Sequence, residues 1–449
     1  MKTATMILAA ALCFAGCKET ETKAQTAPAP APATTPTTAT ATATASSTYE
    51  VFPGCDTPAA TYARTLYFDA TKGSDALGDG SQLKPYKTLT KLAAVLKPGD
   101  HVIFAPGSYG YLQIKAGLYA ALVGSSTWVW LDFQTGAKLN GIDIRDVSRV
   151  LVTGGDVQRA TGVIVGTTNA QQVVVADMLV SSSYASSETL TVSQWLGLGE
   201  AVTFTNGQCL SAVRMKIKNV RFGFQAVKLI KTYPANAIKA LFADSTINGF
   251  SADATRALGS DVTIKNNKVL DGYADISQGD GNHDDMFQGF ANNGNVFENV
   301  TVEGNWFQDR SKQARNLVSN YQGIAVFDGL YRNVKVLRNV IIIGAYHGIN
   351  MAGLDTVLID KNTLVSSFNG SRVPWIATVA SKTGVAPKAN VVSNNLAPRI
   401  KIGAATTNVN NFIITNPVAN YVTYDLVTGA VDLHLKTTSP AFGKGAGVY

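Results

Sequence analysis

A short pattern of apolar and polar positions recurs along residues 240–395: apolar, any, apolar, any, any, asparagine. Apolar residues at alternate positions predict short strands with one buried face. Asparagine directly after such a strand tolerates the left-handed backbone that a tight corner needs. Clear copies are Val262–Asn267, Val300–Asn305, Val334–Asn339 and Val357–Asn362, with looser copies at Ala240–Ser245 and Val392–Asn395 and asparagine-free ones at Val150–Val152 and Val173–Val175.

The spacing of these copies predicts a solenoid. Asn339 and Asn362 are 23 residues apart, and a repeated period in the twenties is typical of solenoids. One turn of this length holds three short strands and three corners. Successive turns would pair their strands in parallel and align their asparagines, which we expect to bond to one another. The predicted fold class is therefore all-β, a right-handed parallel β-helix solenoid.

Segments rich in glycine, proline and aspartate flank the repeats. They are Gly73–Gly80, Lys84–Leu89, Lys97–Asp100 and Pro106–Tyr109 before the repeats, and Leu433–Leu435 and Ser439–Ala441 after them. The first group resembles the opening segment of pectate-lyase-like β-helix proteins, and the second resembles their closing turn. The resemblance extends over about Leu66 to Gly447. It implies a short helix, here Thr88–Lys97, that caps the open end of the coil. It is specific for fold and weak for reaction.

Residues 1–16 have the features of a secretory signal. Lys2 supplies the positive start, and Met6–Phe14 is an apolar run too short to span a bilayer as a helix. Phe14–Cys17 resembles a bacterial lipobox, which implies lipid attachment at Cys17 and a tethered protein. The alternative is an ordinary cleaved signal followed by an incidental cysteine.

Residues 17–48 are dominated by Thr, Ala and Pro. Such a segment buries no apolar area, so we expect a disordered linker between the lipid anchor and a folded domain over residues 49–449. The expected location is the bacterial cell envelope, anchored by lipid and facing outward from the outer membrane or into the periplasm.

The composition and the motifs that are missing limit the kinds of ligand that this protein is expected to bind. The net charge is +7 with 15% charged residues, and this mild positive excess suits an acidic polymer. No nucleotide loop, zinc-ligand spacing or Gly-x-Ser-x-Gly elbow occurs. We expect a monomer that binds an acidic polysaccharide and no nucleic acid. Cys55 and Cys209 follow the signal, and export permits a disulfide without requiring one.

Two repeats are longer than one turn. From Asn267 to Asn305 is 38 residues and from Asn305 to Asn339 is 34, so the extra chain must leave the stack as loops. The first loop, Asp271–Asp285, is acidic, and the second, Asp309–Arg315, is basic. Because adjacent turns lie about 4.8 Å apart, we expect the two loops to be neighbours. A third long interval follows Asn362.

A second pattern, aromatic, polar, glycine, apolar, occurs at Phe287–Phe290, Tyr321–Ile324 and Tyr346–Ile349. If these segments lie in successive turns, then Gln288, Gln322 and His347 form one line. We expect the line to face outward, because three polar side chains inside the coil would be costly unless they bond to each other.

The densest group of polar residues is Gly279–Phe290, which contains one of the four histidines. His283 beside aspartates is a candidate general base or a neighbour of a metal site; the alternative is a solvated loop. His283, Asp285 and Gln288 resemble the His-Asp-Gln stretch of uncharacterised β-helix proteins. More distantly they resemble the Asp-Pro-His stretch of alginate epimerases, although no proline is present here.

Asp271, Asp275 and Asp280 are candidate calcium ligands, since calcium takes six to eight oxygens in variable geometry. The alternative is an acidic loop that is merely solvated. No other cofactor is expected. Tyr346–Gly348 is similar to the Gly-His-Gly stretch of polygalacturonases and Arg399–Lys401 to their Arg-Ile-Lys stretch, but their Asn-Thr-Asp stretch is missing.

The resemblance, the charge and the clustered loops favour a polysaccharide lyase acting on an acidic glycan. Such an enzyme needs a base and a group that neutralises the uronate carboxylate. His283 is the first candidate base and His347 the second, with Asp285 and Gln288 beside them. The candidates for gripping the carboxylate are Arg256, Arg310, Lys312 and Arg315, and those for other substrate contacts are Asp284, Tyr321, Gln322, Tyr346 and Trp375.

Three other functions stay open at the level of sequence. An inverting hydrolase would use Asp284 or Asp285 together with Asp280, with carboxyl groups roughly 6.5–9.5 Å apart. A uronate epimerase is the second. The third is a non-catalytic β-helix that binds glycans or acts as an adhesin, and it needs only aromatic platforms and hydrogen-bonding groups.

Overall fold

The computed structural model describes residues 49–273, 284–291, 294–311, 321–327, 330–367 and 372–449. The predicted signal, the lipobox cysteine Cys17 and the linker lie outside these ranges. Within them, no helix is both long and apolar enough to cross a membrane.

The described chain forms a right-handed parallel β-helix, as predicted, with three stacks of parallel strands along one axis. The first sheet consists of β5 (Ser148–Gln158), β7 (Gln171–Ala176), β10 (Gln208–Val213), β13 (Ala237–Ala243), β16 (Ser260–Lys265), β19 (Val296–Glu303), β22 (Leu330–Leu337), β25 (Asp355–Asp360), β28 (Asn390–Ser393) and β31 (Thr406–Val409). The second sheet consists of β8 (Leu179–Ser181), β11 (Lys216–Val220), β14 (Thr246–Phe250), β17 (Lys268–Gly272), β20 (Trp306–Gln308), β23 (Val340–Ile343), β26 (Thr363–Ser366), β29 (Leu396–Ala397) and β32 (Phe412–Ile413).

The third sheet completes each turn and carries the polar residues discussed below. Its strands are β6 (Val163–Thr168), β9 (Glu200–Thr205), β12 (Phe224–Val227), β15 (Thr255–Leu258), β18 (Asp285–Gly289), β21 (Gln322–Val326), β24 (His347–Ala352), β27 (Trp375–Val379) and β30 (Ile400–Ile402). The coil starts with β1 (Arg64–Phe68), β2 (Asp100–Phe104), β3 (Gly107–Lys115) and the long β4 (Val129–Arg145).

The apolar positions of the repeat fill the inside of the coil. Val262, Val300 and Val334 are register partners on successive strands of the first sheet, and all are buried. Two positions later on the same strands, Ile264 and Val302 are also register partners and are equally buried. The alternating apolar positions of the sequence therefore predicted correctly which side chains of these strands lie in the core.

The asparagines of successive turns bond to one another, as predicted. The Nδ2 of Asn305 donates to the Oδ1 of Asn339 at 3.0 Å, and Asn339 donates to Asn362 in the same way. Each Oδ1 also accepts from the backbone N–H of the asparagine in the preceding turn. The buried amides of this ladder are thus fully paired, which is what makes their burial tolerable.

The role of these asparagines at the corner was predicted wrongly. The left-handed backbone belongs to the preceding residue, for example Arg338 at φ 52° and Lys361 at φ 56°. The ladder asparagine itself turns its side chain inward to bond along the axis, and the residue before it makes the bend.

Helix α1 (Leu89–Val95) lies at the start of the coil, where the resemblance placed a cap. The Thr88 hydroxyl accepts from the backbone N–H of Lys91 and caps the helix start. Leu92 is fully buried in the same apolar cluster as Val102 and Phe104 of β2. Its side chain therefore covers the first turn.

The remaining elements pack outside the coil. They are 3₁₀ turns at Ala120–Leu122 and Ser187–Thr189, helices α2 (Val192–Leu196) and α3 (Pro417–Asn420), and the antiparallel hairpin of β33 (Tyr421–Asp425) and β34 (Ala430–Leu435). Leu433 of the hairpin and Ala441 pack against Val340 and Ile342 on the outer face of the second sheet. The C-terminal segment therefore covers a flank of the solenoid.

Cys55 and Cys209 form a disulfide across 154 residues of sequence. It ties the segment that precedes β1 to strand β10. Tyr49, Tyr62 and Trp128 pack beside it on outward apolar side chains of the first sheet, such as Leu151.

Replacing both cysteines, as Cys55→Ala with Cys209→Ala, should lower the free energy of unfolding by about 2–5 kcal/mol, since the bond closes a long loop in the unfolded chain. Urea denaturation of the variant and of the wild type, both oxidised, measures this. A single replacement gives the same destabilisation if loop closure is the cause. An unchanged midpoint in the double variant would contradict the bond.

Candidate functional site

The third sheet carries two parallel rows of side chains that run along the solenoid axis. The corner row lies where each strand begins and contains Glu200, Phe222, Asp253, Asp285, Gln322, His347 and Trp375. The outer row lies three positions later in most turns and contains Thr203, Gln225, Arg256, Gln288, Ala325, Asn350, Ala377 and Lys401. We call the two rows together the polar strip.

Hydrogen bonds connect the rows within a turn. The Gln288 side chain donates to Oδ2 of Asp285 at 3.1 Å. One turn earlier, the Arg256 guanidinium pairs with Asp253. Asp253 is fully buried, and the Arg256 side chain is only 14% exposed. The ring of Phe222 lies 4.1 Å from the guanidinium carbon and covers it.

Further bonds connect the turns to each other. The backbone N–H of Asp285 donates to Oδ1 of Asp253 at 3.0 Å. Arg256 donates to Gln225 at 3.4 Å, and Gln225 donates to Glu200 at 2.8 Å. Four successive turns are therefore joined by one continuous polar network, which fixes the side chains relative to one another.

Asp285 is the most unusual group in this network. Its side chain is fully buried, and among the residues that the structure describes its Oδ1 has no hydrogen-bond partner. Burial raises the pKa of Asp285 well above its usual value, and the negative charges of Asp253 and Asp284 raise it further. The Asp285 carboxyl is therefore held toward its protonated form, in which it can donate a proton or a hydrogen bond.

This pKa shift predicts a pH dependence of stability. Because the folded-state pKa of Asp285 is raised, the folded protein binds the proton more tightly than the unfolded chain. The resulting stabilisation is complete below the unfolded pKa of about 3.9 and is lost as pH rises through the folded pKa.

An Asp285→Asn variant should lack this loss. Relative to the wild type, it should gain stability between about pH 4 and neutral pH, by up to about 1.4 kcal/mol per pH unit. Urea midpoints at a series of pH values measure the difference. An Asp425→Asn variant, at an exposed carboxylate of lowered pKa, is the control and should show the opposite sign. Parallel pH profiles for wild type and Asp285→Asn would contradict the assignment.

His347 lies two turns further along the corner row from Asp285. Its Nδ1 is 3.0 Å from Oε1 of Gln322. With the amide in this orientation, Gln322 accepts, Nδ1 carries the proton, and Nε2 is the basic nitrogen of the neutral ring. Phe327 and Trp375 contact the imidazole edge-on, at ring-centroid distances of 4.9 and 5.2 Å. The imidazole is therefore oriented on three sides.

Aromatic and cationic side chains continue the strip beyond His347. Trp375 stacks on Tyr346 at 5.3 Å, and Tyr346 is 43% exposed. The ammonium of Lys401 lies 3.1 Å from the centre of the Trp375 ring, and Arg399 approaches the same ring at 5.9 Å. Desolvation and the neighbouring charge of Arg399 lower the pKa of Lys401. This end of the strip offers a flat apolar face beside positive charge, which fits an anionic sugar.

The structure brings together several residues that the sequence proposed. Arg256, Asp285 and Gln288 belong to one network, and Gln322 with His347 adjoins it. The predicted single line of Gln288, Gln322 and His347 is wrong in its first member. Asp285, three residues earlier, is the register partner of Gln322, and Gln288 lies opposite Ala325. Gly323 and Gly348 therefore lie at equivalent positions, whereas Gly289 does not, because it lies opposite Val326.

Tyr321 is not a substrate platform, so that prediction is wrong. Its side chain is fully buried, and its ring packs edge-on against Phe250 at 4.8 Å. Arg310 follows the second sheet and is buried, so it does not line the polar strip. Asp284 is buried as well, and its carbonyl accepts from the backbone N–H of Gln322 at 2.9 Å.

The two long loops begin next to each other, as predicted. Both carboxylate oxygens of Asp271 accept from Ser311, one from its backbone N–H at 2.7 Å and one from its hydroxyl at 2.9 Å. Within the described ranges no three His, Cys, Asp or Glu side chains are grouped so as to hold a metal ion. Calcium stays a prediction. The predicted residues outside the described ranges are His283, Asp275, Asp280, Lys312 and Arg315.

Sequence reasoning missed Asp253, Gln225 and Glu200. A usable signal existed, since a polar residue followed three positions later by another recurs as Asp253 with Arg256 and Asp285 with Gln288. The signal is weak because the residue types differ from turn to turn.

The fold and the polar strip define a parallel β-helix protein with a partly buried, charged strip on one face. No known family model matches the sequence, and no curated protein matches it. Solved β-helix structures resemble it distantly. A GH136 lacto-N-biosidase from Eubacterium ramulus is 11% identical, with a TM-score of 0.45 over 78% of this chain and 68% of the other.

Two further solved structures show the same level of similarity. Pectate lyase Pel9A is 13% identical, with a TM-score of 0.40 over 84% of this chain and 90% of the other. PfbA, a surface adhesin of Streptococcus pneumoniae, is 11% identical, with a TM-score of 0.42 over 71% of this chain and 78% of the other. These values are too low to carry any statement about substrate or reaction.

Proposed function

We propose that this protein binds an acidic polysaccharide along the polar strip and cleaves it by β-elimination. One observation carries the proposal. An oriented imidazole, His347, lies two strand spacings (about 10 Å between backbones) from the Asp285–Gln288 pair and three from the Arg256 guanidinium. Side chains from both positions can reach opposite sides of one sugar ring bound between them.

The chemistry assigns a role to each group. Nε2 of His347 takes the proton from the carbon next to the uronate carboxylate. Negative charge then builds on that carboxylate. The amide of Gln288 donates a hydrogen bond to it and Arg256 adds positive charge nearby, while the buried Asp285 accepts from Gln288 and positions that amide. The bond to the leaving glycosidic oxygen breaks as the new carbon–carbon double bond forms, and the proton taken by His347 passes to that oxygen, directly or through water, which restores the base.

The aromatic and cationic end of the strip supports binding of the same chain. The exposed ring of Tyr346 provides a stacking face, and Lys401, which lies over the Trp375 ring, provides charge for a neighbouring uronate. The mild positive excess of the whole chain attracts the polymer over a longer range.

Incubation with polygalacturonate, alginate and bacterial exopolysaccharides tests the proposal. The expected result is rising ultraviolet absorbance from unsaturated uronate ends on at least one of these polymers. Unchanged absorbance together with unchanged chain length on all of them would overturn it. Binding without cleavage would leave the non-catalytic glycan-binding function.

A hydrolase is the second candidate, because Asp285 has the raised pKa that a general acid requires. Asp284 and Asp253 are the neighbouring carboxyl groups. New reducing ends without unsaturated product would favour this reaction over elimination.

We also propose attachment to the cell envelope through lipid on Cys17, on the strength of the signal, the lipobox-like residues and the Thr/Ala/Pro linker. Mass spectrometry of the N-terminal peptide from the membrane fraction tests it, and an unmodified or absent Cys17 would contradict it.

A further inference from the structure

A surface hollow lies on the third sheet, beside the polar strip and nearer the start of the coil. It has a volume of about 280 Å³ and is lined by Tyr111, Arg145, Arg159, Thr168, Thr203 and Thr205. Most of these side chains carry donors for hydrogen bonds to oxygen, and two carry a permanent positive charge. None of them except Thr203 belongs to the groups considered above.

The residues at the bottom of this hollow continue the outer row of the polar strip toward the start of the coil. Thr203 is the register partner of Gly166, and Gly166 is the partner of Asp143 on β4. Thr203 also donates to Glu200 at 3.2 Å, and Glu200 accepts from Gln225 of the polar strip. The hollow and the proposed reaction centre are therefore two parts of one surface.

The charge of the hollow is positive. Arg145 is half exposed and pairs with Asp143 at 2.6 Å, and Lys115 approaches the same carboxylate at 3.3 Å. The guanidinium carbon of Arg159 lies 5.1 Å from the centre of the Tyr111 ring, and its Nη1 donates to the carbonyl of Val163 at 2.8 Å. The lining itself has one carboxylate, Asp143, and two guanidinium groups, with Lys115 and Asp146 close by, so an added anion is attracted.

The side chains here are held in place before any ligand arrives. Arg159 is fixed by the ring beneath it and by a backbone carbonyl, and Arg145 is fixed by Asp143. A guanidinium has five donors, and these contacts use a minority of them. A planar fork of donors matches a carboxylate or a sulfate.

We propose that this hollow is a distal subsite that binds an acidic sugar of the same polysaccharide chain. The identity of the ligand rests on the proposed function. From Asp143 to Gln288 the outer row crosses five strand spacings, about 24 Å, which corresponds to about five sugars if each rises by roughly one spacing. The polymer then lies along the solenoid axis, and only chains long enough to span both regions use the subsite.

The test compares long and short ligands on a non-cleaving background. In a His347→Ala protein, Arg145→Gln with Arg159→Gln should weaken binding of long polygalacturonate or alginate chains by about tenfold, as expected for lost hydrogen bonds to a charged group. Oligomers of about three units, too short to span five spacings, should bind as before at the reaction centre. Isothermal titration calorimetry measures both.

Arg332→Gln with Arg338→Gln is the matched control, since these arginines are 53% and 51% exposed and lie in and directly after β22 of the first sheet. The pair removes the same two charges from another face and should leave both affinities unchanged. Equal weakening of long and short ligands, or no weakening of either, overturns the distal subsite. So does a wild-type protein that binds neither polymer. Length-dependent binding without any cleavage of the polymer would instead overturn the lyase and keep the subsite.

Discussion

Replacing His347 by alanine is expected to lower the rate of polysaccharide cleavage by about 10²–10⁴-fold, the usual contribution of a positioned general base. The imidazole is held by Gln322 and by two aromatic rings, so its loss removes the basic nitrogen without removing a core side chain. Initial rates of unsaturated-end formation at saturating polymer measure kcat, and binding of the polymer should change little.

His434→Ala is the matched control, because His434 is exposed on the C-terminal hairpin far along the sequence from the strip. It should retain the wild-type rate. A Gln322→Leu variant should keep the base but lose its orientation, which predicts a lower kcat and a shifted pH profile. A His347→Ala protein that cleaves at the wild-type rate would remove His347 from the mechanism.

Arg256→Met is expected to lower the free energy of unfolding by about 3–5 kcal/mol, the typical cost of leaving a buried charge without its partner. Asp253 has no exposed side-chain surface and already accepts from the backbone N–H of Asp285. Without the guanidinium, Asp253 loses the positive charge with which it pairs in the wild type. Urea or thermal denaturation at neutral pH measures the loss.

Acidification should reduce this loss, since protonation of Asp253 removes the negative charge that Arg256 neutralises in the wild type. An Asp253→Asn/Arg256→Met double variant should be more stable than Arg256→Met alone for the same reason. Arg332→Met, at an exposed arginine that lies 3.7 Å from Glu298, is the control and should cost about 1 kcal/mol or less. A similarly small loss for Arg256→Met would show that the pair behaves like a surface ion pair.

The coil itself could be predicted from the sequence because its core repeats. Every turn must place apolar side chains at the same positions inside the coil, and each buried amide must form hydrogen bonds to the amide of the next turn. Both needs fix residue types at fixed positions, as with Val300, Val334 and Asn339. The period therefore survives in the sequence even where loops lengthen the turns.

The polar strip could be predicted only in part, because outward positions carry no such constraint. Asp285 and Gln288 stood out by their local density, whereas Asp253 and Gln225 lie in turns of ordinary composition. Gln322 pairs with Asp285 and not with Gln288, three residues later. The long loop between the two strands prevents this register from being counted along the sequence. The pairing of Cys55 with Cys209 depends on how an outer segment docks, which local pattern does not encode.

Mass spectrometry of the oligosaccharides released from polygalacturonate or alginate tests the central claim most directly. Elimination at the polar strip predicts products whose new non-reducing ends are lighter by one water than those of hydrolysis and carry a double bond. These products should disappear in the His347→Ala protein. Released oligosaccharides of full hydrolytic mass, or wild-type and His347→Ala proteins that yield the same products at the same rate, would contradict it.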